Sequence, residues 1–448
     1  MSRSLLGTIG FLACLLGGTA TVRSDTPPKA PDRPIVLKAA HLFDGVSGKM
    51  IDGGMVVVDG SAIAAVGQGV DVPEGAEVID LGDATLLPGF IDAHVHLDTQ
   101  MHDDWYKDFY EEMYRFPAEQ AFYAALYARR TLEAGFTTVR NVGGSDYVTV
   151  GLRNAVDAGV TAGPRILTAV NAIGSTAGHA DQGPFPPGKI EPLGPVDGVC
   201  NGPAECRAAV RYQIKYGADV IKFMPSGGVL SESDPVDVPE LSRAEMDAII
   251  SEAHAWKRKV AAHCHGDEAA RMAIEAGVDS IEHGTFLEDD TLETMKKEGV
   301  YLVPTLSAGW WVGKKADGYP PQIAEKARAA AARMQTMFQH AAKIGVPVAF
   351  GTDAGVEPHG MNAKEFSLMV ENGFTPTEAL MAATHNGADL LGVSDVAGSL
   401  EQGKSADVVA VRGNPLDDIS VTEHPTFVMK EGTIYVGAPS QLAARKPR

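Results

Sequence analysis

PGFIDAHVHLD, residues 88–98, opens on a Pro-Gly turn and runs through an apolar β-type segment that closes on two histidines. His94 and His96 are two residues apart, so on an extended strand both imidazoles point to the same face. Two imidazoles on one face, with Asp92 just before them, suit Zn²⁺ or a similar metal. An HxH pair carries little weight alone. Its position at the end of a buried run, after a turn, is what makes it a metal-site signal.

Seven further apolar runs follow: TTVRNVG (137–143), RILTAV (165–170), DVIKFM (219–224), VAAHCHG (260–266), SIEHGT (280–285), YLVPTLS (301–307) and PVAFGTDAG (347–355). Amphipathic Ala-rich stretches such as AEMDAIISEAHAWKRK (244–259) and DEAARMAIEAG (267–277) lie between most of them. Eight β/α units in this order predict an α/β fold, a closed (β/α)8 barrel over 89–395 with its active site at the C-terminal strand ends. A doubly wound open sheet is the competing arrangement.

Outside that block the texture is all β. Residues 34–88 read as short strands and turns, an antiparallel unit without helices, and similar segments return in SADVVAVRG (405–413) and FVMKEGTIYVG (427–437). Together, 34–88 and 396–440 are expected to build one small β-sandwich domain from both chain ends. Residues 1–24 have Arg3, an apolar run from Leu5 to Leu16 and small residues before Ser24, the pattern of a cleaved signal peptide. Cleavage is expected after Ala20 or Ser24, and residues 25–33 form a polar linker. Cys14 sits inside the apolar run, which argues against a lipid anchor. The expected location is secreted or periplasmic, with no membrane attachment after cleavage; an uncleaved N-terminal anchor is the alternative. Cys200 and Cys206, six apart in VCNGPAEC, are read as a disulfide or as two inert thiols.

The chain has 448 residues, 45% hydrophobic and 21% charged, enough for a large core. Its net charge of −20 argues against a nucleic-acid partner. A possible homo-oligomer stays open.

The unusual polar residues fall at the ends of the apolar runs, where an unpaired charge is costly. Lys222 ends the fourth run, His263 the fifth and His283 the sixth, and Asp353 lies on the eighth. An ammonium at Lys222 would repel metals among these histidines. Its neutral amine can instead take up carbon dioxide, and the resulting carbamate can bridge two cations. His263 is the preferred ligand of the His263/His265 pair, with His265 facing substrate and Cys264 packing on the opposite side. His283 completes a second imidazole pair. Asp353 can touch one metal and serve as general base and then general acid; a helix N-cap is its bland alternative. His179 and His359 are candidates for substrate contact or for loop hydrogen bonds. Arg140 ends the second run, where it can pair with a substrate carboxylate or a neighbouring acid. His41, His102, His254, His340, His385 and His424 are read as structural.

PGFIDAHVH, the strand-end Lys222, His263, His283 and GTDAG resemble the amidohydrolase superfamily in its two-metal form with a carboxylated lysine. TTVRNVGG, GADVIKFMPSGG, AAHCHG and EALMAATHNGADLLG look like the imidazolonepropionase-related branch, which includes Xaa-Pro dipeptidases, carboxypeptidases and ochratoxin-hydrolysing amidases. The resemblance implies His94 and His96 on one metal, His263 and His283 on the other, N6-carboxylated Lys222 bridging and Asp353 moving the proton. It implies an amide- or peptide-cleaving hydrolase that uses two divalent metals, zinc foremost, and a metal-activated hydroxide. Asn141, where relatives often carry Asp, and the STAGHAD loop depart from the pattern near the substrate end. Hydrolysis of a cyclic amide or lactone on the same fold, or a non-catalytic periplasmic binding protein, are the other readings.

Overall fold

The strand Phe90–Val95 is buried at every position: Ile91, Ala93 and Val95 make one face apolar, and the other carries Phe90 with the buried polar residues Asp92 and His94. In the computed structural model, which describes residues 33–437 apart from 103, 182, 184, 187, 190, 232 and 233, this strand begins the central block. The expected signal peptide 1–24 with Cys14, the expected linker up to residue 32 and residues 438–440 lie outside the described residues. Phe90–Val95 pairs in parallel with Phe136–Asn141, and that strand with Arg165–Thr168. A second parallel sheet runs Val220–Phe223, Lys259–Cys264, Ser280–His283 and Tyr301–Val303.

Isolated parallel bridges connect the two sheets. Ile173 bridges Phe223 on one side; on the other, Leu302 bridges Val348 and Val95 bridges Ala354. The eighth run, PVAFGTDAG, therefore carries bridges and single hydrogen bonds in place of a regular strand. Ala349 N donates to Leu302 O at 3.0 Å, and Ala93 N to Phe350 O at 2.8 Å. Helices alternate with these strands, an α/β arrangement. Their ends follow from local chemistry. Ser242 and Glu245 form a capping box on Arg243–Ala255. The helix Asp289–Glu298 carries Asp289 and Asp290 in its first turn and Lys296 and Lys297 in its last, and Gly299 ends it in the left-handed conformation.

The flanking segments form two further sheets. One orders Ala62–Gln68, Gly54–Asp59, Ile35–Lys38 and Glu77–Asp80; the other runs from Thr433–Val436 through Phe427–Lys430, Val408–Arg412, Ala84–Pro88 and His41–Phe43 to Met50–Asp52. Leu37, Val56, Ile63, Leu86, Val408 and Met429 belong to one buried cluster that both sheets share. The antiparallel expectation for 34–88 holds where Gly54–Asp59 pairs with Ile35–Lys38 and Ala62–Gln68, and His41–Phe43 with Met50–Asp52, and needs correction at two pairs: Ile35–Lys38 runs parallel to Glu77–Asp80, and His41–Phe43 to Ala84–Pro88. Near Ala39 and again near Gly82 the chain steps from one sheet to the other, and two such steps in the same direction leave the strands side by side in parallel. Arg165 ties this region to the central block, reaching Asp407 and Glu431 at 2.9 Å each. Cys200 and Cys206 are joined in a buried disulfide.

Candidate metal centre

Four imidazoles at the strand ends each have one nitrogen fixed from behind. His94 Nδ1 lies 2.8 Å from Glu282 Oε2, and His96 Nδ1 lies 3.1 Å from the Gly143 carbonyl. His283 Nδ1 lies 2.7 Å from Thr305 Oγ1, and His263 Nε2 lies 3.3 Å from the Gly227 carbonyl. A carboxylate or carbonyl accepts only, so at His94, His96 and His263 it draws a ring proton to the rear nitrogen and leaves the other nitrogen facing forward, whereas the Thr305 hydroxyl behind His283 can either donate or accept. The forward nitrogens converge. His94 Nε2 and His96 Nε2 sit 3.4 and 3.3 Å from Asp353 Oδ1, and His283 Nε2 sits 3.0 Å from His263 Nδ1. Among the described residues two groups can hold a metal ion, His94 with His283 and Asp353, and His263 with His265 and His283, each with ligand atoms within 4.8 Å of one another. Burial holds His263 and His283 neutral by pushing their pKa values well below the usual imidazole range. Neutral imidazoles oriented from behind, beside a carboxylate, fit zinc or a similar cation.

The backbone is bent to make this meeting. His283 and Asp353 adopt φ of 69° and 64°, the left-handed region that costs an ordinary residue about 1–3 kcal/mol. Asp353 is held there by its own amide, which donates to His94 O at 2.7 Å. One residue earlier, Thr352 Oγ1 donates to Asp92 Oδ2 at 2.7 Å, and Asn362 Nδ2 donates to the same oxygen at 2.8 Å. Asp92 thus fastens the eighth run to the first and is spent on structure. Lys222 is buried in the same place, and burial, partly offset by Glu282 and Asp353, lowers its amine to about 8. Burial would raise the Asp353 carboxyl, but His94 and His96 outweigh it and hold the group well below the usual carboxylate range.

These residues floor a cavity of about 460 Å³ whose walls include Met101, Met224, Leu230, Val312, Met334 and Val356. His179 and His265 line it as well. Among its described lining residues Lys222 is the one lysine or arginine.

The amidohydrolase family matches residues 85–436, most of the chain. The chain belongs to the amidohydrolase family. It is 32% identical to the ochratoxinase of Aspergillus niger over 425 residues, covering 90% of this chain and 86% of that one. A crystal structure of an Xaa-Pro dipeptidase with bound methionine is 40% identical, with a TM-score of 0.87 over 90% of this chain and 100% of the other. A prolidase complexed with N-methylphosphonate-L-proline is 31% identical, with a TM-score of 0.81 over 90% and 99%. The protein is a hydrolase of carbon–nitrogen bonds, of the amide or peptide kind.

The structure of this amidohydrolase brings His94, His96, Lys222, His263, His283 and Asp353 together around one cavity, with His179 and His265 beside them. Arg140 and His359 go elsewhere. The Arg140 guanidinium is buried beneath the centre, donating to Ala93 O at 2.6 Å, Ser280 Oγ at 3.1 Å and Glu282 Oε1 at 2.7 Å. Of its two readings the neighbouring acid is the one observed, and the guanidinium does not reach the cavity. His359 stacks on Tyr127 with ring centroids 4.8 Å apart, and its Nε2 lies 3.0 Å from the Thr99 carbonyl, a loop hydrogen bond. Asn141 accepts from Leu97 N at 2.6 Å and donates to Gly143 O at 2.7 Å, so it braces the carbonyl that orients His96. Sequence reasoning missed Glu282, which holds His94 and Arg140 at once. A charged residue inside the apolar run DSIEHGT was the available signal.

Proposed function

We propose that this amidohydrolase is a secreted or periplasmic enzyme that cleaves a dipeptide, an N-acyl amino acid or an ochratoxin-like amide. The convergence of four back-oriented imidazoles and Asp353, at 3.0–3.4 Å separations, carries the reading. The three relatives named above support the substrate class, since each acts on or binds an amino-acid derivative. His94, His96 and Asp353 would hold one divalent metal, His263 and His283 a second, and Lys222, as its N6-carboxylate, both; zinc is the metal proposed. When bound, such a pair supplies Lewis acidity at the substrate carbonyl and a water of lowered pKa. Lys222 suits carboxylation because burial favours its neutral amine, which adds to carbon dioxide and loses one proton. Asp353, kept as a carboxylate by His94 and His96, takes the proton of the attacking water and returns it to the leaving nitrogen. The apolar walls keep bulk water from the scissile bond.

The same proposal includes closure of the eight runs over 89–395 into one barrel, supported by the bridges Ile173–Phe223 and Val95–Ala354. It also includes a small β-sandwich domain from 34–88 and 396–440. Elemental analysis paired with a panel of Xaa-Pro dipeptides and N-acyl amino acids tests the function. About two metals per chain with turnover of one amide class is the result expected. Absence of tightly bound metal after reconstitution with zinc would overturn the centre, and two metals without amide turnover would overturn the substrate class. Carboxylation is read separately, as a carbamate signal in ¹³C NMR after growth on labelled bicarbonate.

A further inference from the structure

Behind His179 two carboxyl groups face each other. The chain that leaves the strand Val220–Phe223 turns back on itself, and Glu240 N donates to Pro225 O at 2.8 Å. That return brings Glu240 Oε2 within 2.8 Å of His179 N, which donates to it; a Cβ on Gly178 would lie 2.6 Å from the same oxygen. Asp234 Oδ2 accepts from Gly228 N at 2.6 Å and lies 3.7 Å from His179 Nδ1. The second oxygen of each group, Asp234 Oδ1 and Glu240 Oε1, is buried without a donor among the described residues. The two side chains are within hydrogen-bonding reach of each other. Carboxylates only accept, so these two cannot satisfy one another; a proton carried by one and donated to the other answers both.

The surroundings decide which group carries it. Lys326, on the helix Pro321–Ile344, donates to the carbonyls of Gly228, Ser231 and Asp234 at 2.9, 2.7 and 3.0 Å, which fixes its charge beside the loop. Burial would raise the Asp234 carboxyl, but Ser231, the Gly228 amide and Lys326 outweigh it and hold the group below its usual range. Burial raises Glu240 from 4.5 to about 7, opposed by the His179 amide and reinforced by Asp234. Burial also keeps His179 neutral, lowering it to about 4. Among the described residues, Asp234, His179 and Lys326 are the titratable groups that face Glu240. With the proton on Glu240, the charges of Lys326 and Asp234 cancel. Without it, two buried carboxylates repel each other across the seat of His179. That seat has no slack: a Cβ on Gly228 would lie 2.0 Å from His179 Cε1, and the His179 and His263 ring centroids are 4.4 Å apart. We propose that Glu240 is a positioning residue that works as a neutral acid, sharing its proton with Asp234 so that the pair seats His179 in the cavity wall to meet the substrate. The role rests on the amide cleavage proposed above.

Glutamine copies the protonated acid, with an NH₂ for Asp234 and a carbonyl for His179 N. Zinc-loaded Glu240→Gln and Glu240→Ala are compared with wild type on the Xaa-Pro and N-acyl amino-acid panel. At about pH 6, Glu240→Gln is expected within about threefold of wild type in kcat/KM, and Glu240→Ala about 10- to 100-fold below it, at equal metal content. From about pH 6 to about pH 9 the ratio of Glu240→Gln to wild type is expected to rise at least about tenfold, because only wild type loses the proton. The ratio cancels the pH dependence of the centre itself. Two readouts need no turnover. The infrared difference, wild type minus Glu240→Gln, should show the C=O band of a protonated carboxyl at about pH 6. Hydrogen exchange over residues 175–181 should be faster in Glu240→Ala and unchanged in Glu240→Gln. A Glu240→Gln as poor as Glu240→Ala, a flat ratio or a missing band overturns the proposal, as does a Glu240→Ala equal to wild type. If Glu240→Ala fails to fold, the ratio and the band decide. Wild type that turns over no amide of the panel overturns the amide reading instead, and the band and the exchange still decide the role of Glu240.

Discussion

Replacing Glu282 by Gln is the sharpest probe of how the centre is held, because one carboxylate serves two masters that an amide cannot both satisfy. Oε1 accepts from Arg140 Nη2 at 2.7 Å and Oε2 faces His94 Nδ1 at 2.8 Å. Glutamine can keep its oxygen on Arg140, but its NH₂ then donates to His94 Nδ1. That moves the ring proton to Nε2, the nitrogen that points at Asp353. Turning the amide over restores His94 and sets an N–H against the guanidinium. In either orientation a fully buried Arg140 loses its counter-charge. Removing one partner of a buried ion pair costs about 3–5 kcal/mol; Ser280 and Ala93 still accept from Arg140, so about 3 kcal/mol is expected here. Metal affinity should fall about 10- to 100-fold, the usual effect of losing the group that orients a ligating imidazole. Urea unfolding of the metal-free protein reads the first number and competition with a chelator reads the second. A variant within about 0.5 kcal/mol and twofold of wild type would refute the orienting role.

Lys222→Ala is expected to lower both metal content and turnover by more than the about 10- to 100-fold that loss of an outer partner costs; full metal occupancy with full turnover would remove Lys222 from the bridge. A Cβ on Gly309 would approach Met334 Sδ to 2.6 Å, and both residues line the cavity. Gly309→Ala should push Met334 inward and shift preference toward small substrates by about tenfold, read as a ratio of kcat/KM values, with fold stability near wild type. Glu365 is buried, and burial, opposed by the amides of Leu306 and Ser307, raises its carboxyl to about 8 from the ordinary 4.5. Its folded pKa lies above the unfolded one, so stability is full below pH 4.5 and falls as pH rises through 8, by at most about 1.4 kcal/mol per pH unit. Glu365→Gln should flatten that decline, as measured by urea unfolding at the two ends of the window; an unchanged slope would place the titration elsewhere.

The six residues gathered at the floor of the cavity were legible because each interrupts an apolar run, and burial of a polar group demands a reason. What supports them was not legible. Glu282, Thr305 and the Gly143 carbonyl act across strands, and nothing in DSIEHGT reveals that its Glu faces His94 while its His faces Thr305. Arg140 shows the same gap from the other side. Its place at a run's end fits a substrate carboxylate or an acid equally, and only the neighbouring strand, which carries Ser280 and Glu282, decides. The eighth run was recognised by composition, although positive φ at Asp353 and its ties to Asp92 keep it from forming a regular strand. In the flanking sheets the strands were recognised, and the antiparallel expectation failed only at the two pairs made by crossing between layers, which leaves no mark on alternation.

The contacts of the centre differ greatly in how far they reach along the chain. His263 and His283 are 20 residues apart and can meet once a single β/α unit has formed. Asp92 and Thr352 are 260 apart and meet only when the two ends of the central block come round to each other. Closing the longer loop costs about 2 kcal/mol more in chain entropy. Assembly therefore has a built-in order, in which a two-histidine half-pocket precedes the arrival of Asp353. A cation present during refolding meets that half-pocket first, and the timing of metal supply becomes a variable in the yield of active enzyme.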